Sequence, residues 1–234
     1  MSPSVPAYKR VIAIDGPAAS GKSSVARKLA QKLEFVYVNS GAMYRALTWH
    51  VLQCGVDPHD QAAVAALVEA TRFETDLLDQ ESRILIEGTD PSIHLREVRV
   101  NESVSLVSRV PHVRAVLVAR MRAYAMQDDV VMEGRDIGSV VFPHTSYKFY
   151  IDASHAIRSQ RRAAQGQTDQ IALRDEVDSS RSDSPLTVAA DAHVVDSSIL
   201  SIDEVVSEIL RCLRARNFSV EAKQVGSCRS VSSQ

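Results

Sequence analysis

Two periods of apolar and polar positions alternate along the chain. Short, mainly apolar runs recur at Val11-Ile12-Ala13-Ile14, Phe35-Val36-Tyr37-Val38 and Val130-Val131-Met132, and, interrupted by Lys148 and His193, at Tyr147–Ile151 and Ala192–Val195. Each is too short for a helix and is bounded by polar or glycine residues, so each reads as a strand buried on both faces. Between them the spacing changes to three and four. Val25, Leu29 and Leu33 share one helical face with Ala26 and Ala30. A second helix begins at Ala42–Leu47 and runs towards Cys54-Gly55, and a third covers 61–71. Pro111 suits a first helical position, and the helix it opens carries Val113, Val116, Leu117 and Met121 on one face against Arg114, Arg120 and Arg122 on the other. Ser201-Ile202-Asp203-Glu204 is a capping box opening a last amphipathic helix with Val205, Ile209, Leu210 and Leu213. Strands at 10–14, 35–38, 130–133, 147–151 and 193–196 therefore alternate with helices. This predicts a three-layer α/β/α sandwich around a five-stranded parallel sheet.

Two segments break that rhythm. Phe73–Asp76 and Arg83–Glu87 read as two short strands across a polar turn at Asp79–Glu81, followed by a helical stretch from Glu97 to Val107. Residues 73–110 are thus expected to form a small β-containing insertion. Residues 163–183 are polar, with Gln165-Gly166-Gln167-Thr168 at their tip, and read as a flap. The expected organisation is an N-terminal tail (1–9), a core (10–72 and 111–216), the insertion, a lid within the core (158–181) and a Ser-rich disordered tail (217–234).

The chemistry begins at Gly16-Pro17-Ala18-Ala19-Ser20-Gly21-Lys22-Ser23, with Ser24 after it. The spacing is GxxxxGK[ST] between a predicted strand and a predicted helix, a phosphate-binding loop. Backbone N–H groups turn inward towards phosphate oxygens, and the helix adds its positive end. Lys22 is expected at the β- and γ-phosphates, and Ser23 at Mg²⁺. No hhhhDE strand of the motor-ATPase type stands out.

Charge and composition narrow the classes. The formal net charge is −2, which gives no general bias towards nucleic acid or an anionic membrane. Three cysteines, Cys54, Cys212 and Cys228, are widely spaced without a CxxC pair, which fits a reducing cytoplasm. No segment approaches the length of a membrane span. Cys54 and Cys212 fall on apolar helix faces and are expected in the core. The basic residues are 21 arginines against six lysines. Many of the arginines fall in predicted loops or helix starts, including Arg45, Arg96, Arg135, Arg174 and Arg181, while Arg158, Arg161 and Arg162 share one helix face. Arg135 and Asp136 follow a strand, at the end where open parallel sheets bind ligands. An enzyme moving a phosphoryl group between two phosphorylated molecules needs such charge, because its task is positioning and neutralisation.

Ile14-Asp15-Gly16-Pro17 with Ser20–Ser23, Ser40-Gly41-Ala42-Met43-Tyr44-Arg45, Glu133-Gly134-Arg135-Asp136-Ile137-Gly138, and Arg174-Asp175 with Asp178, Arg181 and Pro185-Leu186 together resemble the bacterial cytidylate kinase family, over about 10–216. The resemblance implies a nucleoside monophosphate kinase core with an enlarged acceptor region and a lid. It implies phosphoryl transfer from ATP to CMP or dCMP, with Mg²⁺. Ser40 and Tyr44 would line the acceptor pocket, and Arg45 and Arg135 would grip its phosphate with Arg181. Ser105, Arg114 and Asp136 match positions that read cytosine, Arg174 and Asp178 match positions at the sugar, and Arg158 and Arg162, ahead of Arg161, match the lid region at the ATP phosphates. Three departures accompany the likeness: Asn39 where the family commonly has Asp, a shorter lid between Arg162 and Arg174, and His144 where an acid is common. A monomer is expected, because a small kinase that opens and closes needs a free lid. Competing readings are a kinase for UMP or AMP, and a nucleotide-binding regulator that transfers nothing.

Overall fold

The computed structural model describes residues 8–164 and 186–219. Its strands are β1 (Val11–Asp15), β2 (Val36–Asn39), β3 (Phe73–Leu78), β4 (Glu81–Ile86), β5 (Val130–Gly134), β6 (Tyr147–Asp152) and β7 (His193–Asp196). The helices are α1 (Lys22–Leu33), α2 (Ser40–Gln53), α3 (Gln61–Ala70), α4 (Val98–Val107), α5 (Pro111–Gln127), α6 (His155–Ala164) and α7 (Ile202–Ala215). Among the described residues the strands form one sheet in the order β3-β4-β2-β5-β1-β6-β7.

The five strands read from apolar runs are the contiguous parallel block β2-β5-β1-β6-β7. The strand count is nonetheless seven. The expected insertion hairpin is not set apart from the sheet: β4 lies parallel to β2 at its edge, with Tyr37 opposite Glu81, and β3 closes antiparallel on β4. The polar turn expected at Asp79–Glu81 is present but shorter: Glu81 begins β4, and Asp79 and Gln80 alone form the turn, both at positive φ, as a two-residue hairpin turn of the I′ kind requires. Where the hairpin docks depends on a neighbour far along the chain. The Tyr37 N–H donates to the Gln80 carbonyl at 2.8 Å.

Period-2 alternation sorts the central strands between two cores. Val11, Ala13, Val36, Val38, Val130 and Met132 face a layer filled by Leu47 of α2, Val64 and Val68 of α3, Val104 of α4, and Leu117 and Met121 of α5. Ile12, Ile14, Tyr37, Val131, Phe149 and Ile151 face the other, filled by Val25 and Leu29 of α1 and by Val205, Ile209 and Leu213 of α7. Burying both faces removes water from the sheet and leaves its strand ends as the place for polar loops.

At the limits of the described residues, two aromatic side chains pack onto the core. Tyr8 packs edge-on against Phe142, and Phe218 is 5% exposed and packs against Tyr147 and Phe35. Cys212 is buried as expected, but Cys54 is exposed: it is the C-cap that follows the last residue of α2, beyond the turns that face the core.

Candidate active site

β1 delivers the phosphate loop to the carboxyl end of the sheet. Gly16 has φ of +155°, and a Cβ there would lie 2.1 Å from the Ile151 carbonyl oxygen of β6, so no side chain fits. Gly21, at φ +90°, turns the chain into α1 as its N-cap. Lys22 is buried and its Nζ donates to the Pro17 carbonyl at 3.0 Å, folded across the loop. The Ser23 hydroxyl donates to Glu133 Oε1 at 2.8 Å. Glu133 ends the apolar run of β5, the strand beside β1, and is itself buried. This acid was not read from the sequence as the loop's partner. The usable signal was its position as the first acid after a fully apolar strand.

Two arginines of α6 hold the loop from behind. Arg158 is buried; its Nε donates to the Ala153 carbonyl at 3.0 Å and its Nη1 to the Ala18 carbonyl at 3.3 Å. Arg161 donates to the Ser20 carbonyl at 3.2 Å and to the Ser197 carbonyl at 2.7 Å, and Ser197 Oγ donates to the same Ser20 carbonyl at 2.7 Å. Arg161 therefore bolts the loop to the end of β7, a structural part its spacing with Arg158 and Arg162 did not separate. Arg162 and Arg161 both line the cavity in front of the loop.

That cavity, about 520 Å³, unites the predicted groups. Ala18, Ala19, Ser20, Gly21, Lys22, Ser23 and Ser24 form one wall. Opposite stand Ser40, Tyr44 and Arg45 of α2, Ser105 of α4, Arg114 of α5, and Arg135 and Asp136 after β5. Beyond the loop the cavity continues to Ser197, Leu200, Ile202 and Val205, an apolar end that sequence reading did not assign. Arg158 contributes from beneath the loop, while Gly16 and Pro17 offer their carbonyls to Arg135 and Lys22. Arg174, Asp178 and Arg181, with most of the expected lid, lie outside the described residues.

Local bonds fix the opposite wall. Asn39 caps α2, its Oδ1 accepting from the Ala42 N–H at 2.9 Å, so the helix opens at the cavity. Ser40 Oγ donates to the Glu133 carbonyl at 2.8 Å, and a Cβ on Gly134 would come 2.6 Å from that Oγ. Arg114 pairs with Asp136, with 6% and 4% of their surfaces exposed, and its guanidinium lies 5.7 Å from the Tyr44 ring centre. Residues 134–141 carry Arg135 and Asp136 into a π-helical turn, Ile137–Val141. Asp15 secures this turn: its carboxyl accepts from the Ile137 N–H at 2.8 Å and the Gly138 N–H at 2.7 Å. Burial pushes the Asp15 carboxyl up to about 7, against the pull of those two N–H groups. Arg135 Nη1 donates to the Gly16 carbonyl at 3.1 Å, so the two loops are stitched twice.

A mostly parallel sheet between helical layers, with a phosphate loop facing a second cationic pocket across one cavity, defines a phosphate-loop phosphotransferase. A family model described as cytidylate kinase matches residues 12–215. The chain belongs to the cytidylate kinase family. It is 42% identical to the cytidylate kinase of Geobacillus kaustophilus (strain HTA426) over 216 residues, covering 88% of this chain and 96% of that one. It is 42% identical to the cytidylate kinase of Symbiobacterium thermophilum, over 87% of this chain and 96% of that one. Among solved structures, the shikimate kinase from Acinetobacter baumannii in complex with shikimate aligns at a TM-score of 0.47 and 12% identity, over 90% of this chain and 96% of that one.

Proposed function

We propose that this chain transfers the γ-phosphoryl group of ATP to CMP or dCMP, giving CDP or dCDP and ADP. The observation that carries the reading is the single cavity in which the phosphate loop faces Arg45 and Arg135, with the buried Arg114–Asp136 pair at its far side. The loop's inward N–H groups and Lys22 would hold the donor's β- and γ-phosphates. Arg162 would add charge from the lid, and Arg158 would act by fixing the loop. The apolar end at Leu200, Ile202 and Val205 suits the flat base of the donor.

On the other side, Arg45 and Arg135 would hold the acceptor phosphate, with Ser40 and Tyr44 beside it. Ser105, Arg114 and Asp136 suit cytosine. Its N4 amino group needs an acceptor, and its N3 and O2 need a donor. Uracil presents a carbonyl where cytosine has the amino group, leaving the Asp136 carboxylate facing an acceptor. Arg174, Asp178 and Arg181 keep their proposed roles at the sugar and acceptor phosphate on the family resemblance alone. The division into a core (10–72 and 111–216), an acceptor region (73–110) and a lid (158–181) is proposed on the same ground.

The Ser23 hydroxyl and Glu133 carboxylate, 2.8 Å apart at the cavity wall, are hard oxygen groups that fit Mg²⁺ held directly or through water. When bound, Mg²⁺ neutralises charge on the β- and γ-oxygens. The chain's own work is to align the two phosphates and exclude water, and its arginines stabilise the charge on the moving group. Among the described residues no helix is long and apolar enough to cross a membrane. We propose a cytoplasmic monomer whose partners are its small-molecule substrates.

The test is steady-state ADP release with CMP, dCMP, UMP and AMP at fixed Mg-ATP. CMP and dCMP should give the highest kcat/KM. AMP outcompeting CMP would overturn the assignment of Arg114 and Asp136 to cytosine, and ATP binding without turnover of any acceptor would point to a regulator.

A further inference from the structure

Among the described residues, the roles assigned above leave the buried Tyr37 hydroxyl without a purpose, although it lies beside the site. Tyr37 is 3% exposed and points into the α1 side of the sheet, where an aliphatic side chain would pack as well. Its hydroxyl meets two groups. Asn39 Nδ2 donates to it at 3.0 Å, and it lies 3.3 Å from Glu133 Oε1. Residues 37 and 39 share a face of β2, and Asn39 stands opposite Glu133 in the β2–β5 register, so the three side chains are brought together by the sheet itself.

Donor and acceptor roles in this chain follow from counting. Asn39 Oδ1 is committed to the Ala42 N–H at the start of α2. The amide therefore presents its NH₂ to Tyr37, and the tyrosine oxygen accepts. A phenol has one proton, and the remaining neighbour is the Glu133 carboxylate, which can only accept. Tyr37 thus donates to the same Oε1 that accepts from Ser23. The ring is held from its other side: Arg27 lies over it at 5.0 Å from the ring centre and pairs with Glu81 at 2.6 Å. The hairpin that joined the sheet at Tyr37 thus also clamps it.

We propose that Tyr37 is a positioning residue that orients the Glu133 carboxylate towards Ser23, with Asn39 setting the direction of its proton. The sequence Ala42 N–H, Asn39, Tyr37, Glu133, Ser23 is a continuous hydrogen-bonded line from the acceptor-side helix α2 to the donor-side helix α1. The helix that carries Ser40, Tyr44 and Arg45 is thereby joined to the start of the helix that follows the phosphate loop. Replacing the hydroxyl would leave Glu133 one donor short and freer to rotate away from Ser23. This inference rests on the phosphoryl-transfer reading of the cavity.

Tyr37→Phe removes the oxygen and keeps the ring, Arg27 contact and strand. Asn39→Ser keeps a helix cap but cannot reach Tyr37. The full chain, both single variants and the double variant are compared by kinetics with Mg-ATP and CMP, and by Mn²⁺ affinity of the ADP complex followed by electron paramagnetic resonance. Tyr37→Phe should lower kcat about tenfold, the worth of one hydrogen bond to a charged group, with KM for CMP within about twofold. Mn²⁺ affinity should fall several-fold, and the double variant should be no worse than Tyr37→Phe alone, because both act through one bond. Tyr37→Phe with unchanged Mn²⁺ affinity and kcat, or losses that add in the double variant, would overturn the proposal. A Tyr37→Phe chain that fails to fold leaves the decision to Asn39→Ser, whose Mn²⁺ affinity must then fall. The wild-type rate on CMP separates the two levels: no turnover there refutes the kinase reading, while the Mn²⁺ affinities still judge Tyr37.

Discussion

Asp136→Asn puts the base-reading proposal under the most direct strain. The change keeps size and shape, removes the charge, and replaces one carboxylate oxygen by an NH₂ donor. Asp136 is 4% exposed, so water cannot take over the lost role. A hydrogen bond to a charged group is worth about 1.5–3 kcal/mol net. At about 1.4 kcal/mol per factor of ten, kcat/KM for CMP should fall roughly 10- to 150-fold. The variant amide can donate to the uracil carbonyl, so kcat/KM for UMP should fall less, or rise, and the CMP-to-UMP ratio should narrow. The donor wall does not include Asp136, so KM for ATP should stay within about twofold. Arg114 loses its ionic partner, and breaking a buried pair outright costs about 3–5 kcal/mol, with the isosteric amide keeping part of that. Urea unfolding therefore accompanies the kinetics, so that activity is compared at equal folded fraction. Equal losses towards CMP and ATP, or an unchanged CMP-to-UMP ratio, would refute the reasoning.

Two further predictions concern the loop. Gly16→Ala sets a Cβ 2.1 Å from the Ile151 carbonyl, a contact that only backbone movement relieves, so ATP affinity measured by calorimetry should fall at least tenfold; retained affinity would show that the loop tolerates the shift. Asp15 should make stability depend on pH. Its carboxyl is raised from 3.8 to about 7 on folding, so the native chain binds more protons than the unfolded one between those values. The stability it contributes is full below about pH 4 and is lost as pH rises through about 7. Unfolding free energies across that window should slope downward for the wild type and more shallowly for Asp15→Asn; identical slopes would remove Asp15 as the cause.

The readings that succeeded from sequence were local ones. Gly16 to Ser23 identified itself because its geometry is set by residues at fixed short spacing, and the capping box at Ser201 was legible for the same reason. It is present with both reciprocal bonds. Ser40–Arg45 and Arg135–Asp136 were located through family likeness, and the cavity gathers them opposite the loop. What stayed illegible depended on partners far apart in the chain. Glu133 looked like one acid among 29 acidic residues until β5 lay beside β1 and brought it to Ser23. The departure at Asn39 looked like a missing charge; in the fold it is a helix cap whose second group reaches Tyr37.

The sequence by itself determined the chain's class of structure and its phosphate-loop pattern. Strand runs, helical spacing and an eight-residue loop are properties of neighbours, and neighbours are fixed by the order of residues. Tertiary structure decided the rest. It made the sheet seven-stranded by docking the hairpin on β2, turned Arg161 and Arg158 into fasteners of the loop, and aligned Asn39, Tyr37, Glu133 and Ser23. The physical reason is that buried polar groups must find partners wherever the packed core brings them, and those partners are set by distance in space, not along the chain.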